Sequence, residues 1–223
     1  MKKYAETSLR YLLSTFGIFL VAIGIALSVY ANLGINCLNA TAYAFNIKFP
    51  QLSLGFYNFA FFTLCMLLQM AVLGKRFKAI DLLQLPANFL LSWFINLSMA
   101  LCAALGISGD SLLSQALLLV ASCIFSAVGI SLEVLSKAWM LPADMMVRAF
   151  SIISKGKFST VKIAVDCSIL LLSCIVCLIF FSNILGPSQT PIIGWGTLFM
   201  AVAIGLCMKV STPLLQKIPL LKG

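Results

Sequence analysis

Apolar residues run along this chain in long blocks, broken by short polar stretches at which the basic residues collect. Six blocks are long enough to cross a bilayer, which takes about 20 apolar residues each. They fall at 9–31, 52–73, 79–105, 112–135, 159–182 and 191–210. Two further stretches, 35–49 and 138–154, are apolar but too short to span. Into the second the chain runs as EVLSKAWMLPADMMVR (133–148), carrying Glu133, Lys137, Asp144 and Arg148 around Pro142 where a membrane helix should end. The pattern predicts a broken or re-entrant segment, which membranes tolerate only where it is buried in protein or lines a cavity. Ionisable groups at such depth are candidates for function.

Composition fits this pattern. The chain has 223 residues, 62% of them hydrophobic and 9% charged, where a soluble domain carries roughly 25% charged. An all-α integral membrane protein in one domain, 1–223, is expected. The net charge of +9 points to membrane orientation rather than nucleic acid. Lys2, Lys3, Arg10, Lys75, Arg76, Lys78, Lys137, Lys155, Lys157, Lys162, Lys209, Lys217 and Lys222 fall on one side of a six-span arrangement, and Lys48 on the other. Eight spans would scatter them, so the positive-inside bias predicts six, with both termini cytoplasmic in a bacterial inner membrane. The first block exceeds the roughly 7–15 residues of a signal-peptide core and reads as a span.

The halves of the chain resemble each other at a shift of 105. Ala22, Gly24, Leu27 and Val29 fall on Ala127, Gly129, Leu132 and Val134, Asn39 falls on Asp144, and Phe45 on Phe150. Each half, about 8–105 and 112–215, holds one span, one short segment and two spans. Three spans per half would invert the second, giving two inverted three-helix repeats, each with a short broken or re-entrant helix after its first span. Many secondary transporters follow this plan, with sites near the midplane at the broken helices.

These features resemble the YczE/YitT-type family of bacterial multi-pass membrane proteins. Leu141-Pro142-Ala143-Asp144 resembles its Pro-x-Asp motif, and Phe158-Ser159-Thr160-Val161-Lys162 with Asp166 its following helix start. Gly194-Trp195-Gly196-Thr197 resembles the opening of its last helix. The first half departs, with Cys37-Leu38-Asn39 where Pro-Trp-Asp is usual. The resemblance implies a fold and a membrane location, and no substrate.

Candidate chemistry is sparse. There is no His, and Cys174 and Cys177 form a CxxC inside an apolar run, which suits packing better than metal or redox work. No nucleophile–base pair, metal cluster, cofactor motif or phosphate loop stands out, so no enzyme and no cofactor is expected. Asp144 and Arg148, four apart, share a helical face, either as a substrate-facing pair or as a structural stitch. Asn39 and Asn36 offer amide groups to a polar solute, although turn chemistry also explains Asn36. Glu133 and Asp166 are candidate coupling or ordering groups. The plainer reading pairs each with a lysine four residues away, Lys137 and Lys162. The reading that unites these residues is a transporter or exporter of a small polar or charged solute, working by alternating access. The alternatives are a membrane binding subunit or sensor acting with a partner, resembling in outline a substrate-capture subunit, or a scaffold. The expected partners are the lipid bilayer, a small solute or ion, and either a second copy or a membrane partner protein, but no nucleic acid.

Overall fold

A computed structural model describes residues 2–77, 79–136, 138, 141–156 and 158–218, without the side chains of 2–5, 75, 79, 80, 144 and 158–160. It is all helical among these residues: α1 (Lys2–Ala31), α2 (Cys37–Lys48), α3 (Leu54–Leu73), α4 (Gln84–Ala104), α5 (Leu112–Ser136), α6 (Pro142–Ser154), α7 (Phe158–Phe181) and α8 (Trp195–Leu215). Six of these, all but α2 and α6, are long and apolar enough to cross a membrane. The two short predicted segments became α2 and α6, of 12 and 13 residues, or about 18–20 Å at 1.5 Å per residue. That is less than the roughly 30 Å of a hydrocarbon core.

Local chemistry sets the helix ends. Asn36 Oδ1 accepts from Leu38 N at 3.3 Å and caps α2, and Ser53 does the same for α3 through Phe56 N. Gly74, at φ +50°, ends α3 in a conformation that suits glycine. The third span was expected as one helix over 79–105. It starts instead with a 3₁₀ turn, Ala79–Leu83, before α4. Pro86 then falls in the first turn of α4, where its missing N–H breaks no helical bond. The last span starts at Trp195 rather than 191, because Ile192 and Gly196 are tied to the α1–α2 link. There Ile35 N donates to Ile192 O at 3.0 Å and Gly196 N to Leu33 O at 2.8 Å.

Helices α1 and α5 form the centre. Their spans are 61% and 50% buried, against 17% for α7 and α8. They cross antiparallel through small residues. A Cβ on Gly17 would lie 2.7 Å from Gly129 O, and one on Gly129 would lie 2.5 Å from Gly17 O. Further along, Ser122 Oγ donates to Gly24 O at 2.7 Å. Small residues let membrane helices approach until dispersion and short polar contacts hold them, since lipid removes the hydrophobic drive between helices.

The packing is two-fold. Helix α1 packs on α4 as α5 packs on α8, α2 on α7 as α6 on α3, and α2 on α3 as α6 on α7. The 105-residue shift turns the contact of Gly17 with Gly129 into that of Ser122 with Gly24, so the α1–α5 crossing sits on the axis of this pattern. One contact breaks the pattern: α3 packs against α4, whereas α7 and α8 share no comparable contact among the described residues. Helix α2 lies lengthwise along α7, with Thr41 and Ser173 hydroxyls 2.7 Å apart and Lys48 Nζ donating to Phe180 O at 3.3 Å.

Candidate functional site

The residues singled out by sequence fall in separate places. Asn39 is buried on α2, where its Oδ1 accepts from Asn58 Nδ2 of α3 at 2.7 Å. Asn36 is spent on the α2 cap. Asp166 pairs with Lys162 at 3.1 Å, both side chains a little over a quarter exposed. The pair lies within electrostatic reach of Cys37 at the start of α2, where a carboxylate suits the positive end of the helix.

The Glu133 side chain is buried rather than solvated, at 3% exposed. Its Oε1 accepts from Leu141 N at 2.8 Å, across the break between α5 and α6. Leu141 precedes Pro142 and has no side chain able to cap α6, so a carboxylate from the preceding helix supplies an acceptor. Lys137 itself lies outside the described residues.

The side chain of Asp144 also lies outside the described residues, although its backbone belongs to the first turn of α6. Its expected partner Arg148 is exposed one turn later. Arg148 lines a cavity of about 370 Å³ together with Gln69, Arg76, Asp81 and Met145. The cavity lies between the C-terminal end of α3, the 3₁₀ turn before α4, and α6. Gln69 is 1% exposed, and neither end of its amide has a hydrogen-bond partner among the described residues. A buried amide left this way costs about 1–3 kcal/mol, which a bound polar group or water would recover.

Helix α3 relates the cavity to the Asn39–Asn58 pair. Asn58, Phe62, Cys65, Met66 and Gln69 form its buried face. Asn58 and Gln69 are three turns apart, about 16 Å at 1.5 Å per residue. The apolar side chains of Phe62, Cys65 and Met66 lie between them. The structure therefore does not unite Arg148 with Asn39: one lines a cavity, and the other is bonded inside the bundle beyond an apolar layer.

Match to a sequence family covers residues 8–213. The chain belongs to DUF6198, a family of unknown function. No curated protein and no solved structure matches it. Function in this DUF6198 chain has to be read from its own geometry.

Gln69, Arg76 and Asp81 were not singled out by sequence. Arg76 read as an orientation charge, and Asp81 falls near the start of the third apolar block. Gln69 did carry a signal. It is the one amide between Asn58 and Lys75, in a stretch otherwise apolar but for Thr63. Among the described residues no group of His, Cys, Asp and Glu could hold a metal ion. The cavity gathers two guanidiniums, a carboxylate and a buried amide.

Proposed function

We propose that the protein is a membrane carrier for a small polar or charged solute, working by alternating access between two inverted halves, and not an enzyme. The observation that carries this reading is the cavity ending at Gln69, cut off by Phe62, Cys65 and Met66 from a second buried polar pair, Asn39–Asn58. A polar path interrupted by one apolar layer is what a carrier closed on one side requires. Support comes from the antiparallel crossing of α1 and α5. If the halves are repeats of each other, their equivalent first helices run in opposite directions, as inversion demands. Helices α2 and α6, too short to span and packed lengthwise on α7 and α3, are the re-entrant elements of this reading. Kinship with the YczE/YitT-type proteins, on Leu141-Pro142-Ala143-Asp144, belongs to the same proposal. By the positive-inside bias, the basic residues near the cavity favour a reading in which its opening and both termini face the cytoplasm across a bacterial inner membrane.

The test is cysteine accessibility on a Cys-free background in sealed membranes. Gln69→Cys should react with an impermeant thiol reagent from the Arg76 face. Asn58→Cys should react from the opposite face, in a fraction that grows when the cavity is occupied. If neither position is ever reached from water, there is no alternating path and the carrier reading falls. If Gln69→Cys reacts while Asn58→Cys stays shielded under every condition, the protein is a binding subunit or sensor instead.

A further inference from the structure

Helix α6 borders two spaces of opposite character. The face bearing Met145, Arg148 and Ile152 lines the polar cavity with Gln69 and Arg76. The adjoining face, bearing Met146, Phe150 and Ile153, lines a groove of about 550 Å³ between α3, α6 and α7. The rest of the groove wall includes Leu68, Val165 and Leu172, and only hydroxyls such as Ser154 and Ser168 interrupt its apolar character. On α3 the two spaces are one residue apart, with Leu68 on the groove and Gln69 on the cavity. Residues 148 and 153 of α6 are five apart, about 7.5 Å along the axis.

Among the described residues, nothing pairs with the guanidinium of Arg76 or of Arg148, and nothing bonds to the Gln69 amide. The cavity thus has open donors for an anion, and the groove beside it has room for a hydrocarbon chain. Basic pockets between membrane helices on the cytoplasmic side hold anionic headgroups. We propose that the site takes an anionic amphiphile, with its phosphate or carboxylate head on Arg76, Arg148 and Gln69 and its acyl chain in the groove along α6 and α7. This names the solute class of the carrier proposed above and rests on that reading only for what happens to the ligand after it binds.

The test is binding, measured without transport. The full chain in neutral detergent is titrated with dioleoyl phosphatidate or dioleoyl phosphatidylcholine, and retained lipid is counted by native mass spectrometry. Phosphatidate should be retained at least tenfold better. Arg76→Gln with Arg148→Gln should bring that ratio close to one without altering the elution of the protein. Ser168→Phe, which fills the groove from α7, should lower phosphatidate retention severalfold with both arginines intact. Equal retention of the two lipids would mean ordinary annular lipid and would overturn the proposal. Displacement of phosphatidate by an equal concentration of inorganic phosphate would show that the chain contributes nothing. The cavity would then be a free-anion site, and the amphiphile would be wrong. Either outcome leaves the accessibility test of the carrier reading standing.

Discussion

Gly129→Ala is the sharpest probe of the central crossing. The new methyl would sit 2.5 Å from Gly17 O, against 3.4 Å for the near edge of ordinary contact. The obstacle is backbone, so no rotamer change relieves it and α1 must move off α5 by most of an ångström. Overpacking of this kind costs about 1–3 kcal/mol. Gly17→Ala should cost a similar amount, since its methyl would meet Gly129 O at 2.7 Å. Both methyls press on one point, so a single separation relieves both. The double variant should then cost clearly less than the two singles together, as coupled neighbours do. Gly205→Ala is the control: no atom lies within 4 Å of its Cβ position, and replacing a helical glycine there should be neutral or stabilise by about 0.5–1 kcal/mol. The chain carries its own reporters. Cys65, Cys102, Cys123 and Cys177 are buried free thiols, so a thiol-reactive dye follows unfolding in detergent. Gly129→Ala within about 0.5 kcal/mol of the parent, well under the overpacking cost, would refute the close crossing.

Three further outcomes follow from named contacts. Glu133→Ala should destabilise by about 1–3 kcal/mol by stripping Leu141 N of its acceptor, and Glu133→Gln, which keeps an acceptor oxygen, should cost clearly less in the same dye assay. Equal losses would mean that the negative charge, and not the hydrogen bond, matters at the α5–α6 break. Asn39→Leu should destabilise by about 1–3 kcal/mol because Asn58 loses its partner. Asn39→Leu with Asn58→Leu should recover much of that stability, and a fully additive double variant would argue against the bond. Lys162→Met and Asp166→Asn should show a coupling below about 1 kcal/mol in a double-mutant cycle, as expected of a pair in contact with solvent. A larger coupling would place the pair in a drier setting than its exposure indicates.

Periodicity made the scaffold legible. Span number follows from block length, and the breaks at α2 and α6 follow from apolar runs too short to cross. The repeat sets Gly24 on Gly129, two of the small residues at which α1 and α5 cross. Helix boundaries were less legible where one element borrows a partner from another. The start of α8 depends on Leu33 and Ile35, and the start of α6 depends on Glu133 eight residues earlier. The cavity was the least legible part. Gln69, Arg76, Asp81 and Arg148 come from three parts of the chain, and each has a plain local explanation when read alone. Only the packing of α6 along α3 brings them to one space.

The near-symmetry of the scaffold sharpens the meaning of its one asymmetric contact. In a carrier of two inverted halves, the two access states differ by which half adopts which conformation. In this structure α3 is held to α4 by Gly55 N donating to Asn96 Oδ1 at 3.0 Å, and by Asn88 Nδ2 donating to Phe59 O at 3.0 Å. Among the described residues, helices α7 and α8 share no comparable contact. Exchanging the halves would part α3 from α4 and bring α7 to α8. Interhelical hydrogen bonds in membranes contribute only about 0.6 kcal/mol each on average, so the α3–α4 bonds do not forbid that exchange. The α1–α5 crossing lies on the axis and is the same in both arrangements. Its contacts are backbone against backbone, with Cβ positions on Gly129 and Gly17 at 2.5 and 2.7 Å from the facing carbonyl oxygens. A rigid hinge at the axis, with weaker polar latches at the periphery, is the division of stability that the carrier reading needs. It also fits the placement of the buried amides Asn58, Gln69, Gln84 and Asn88 on α3 and α4, the pair whose separation would expose them to water.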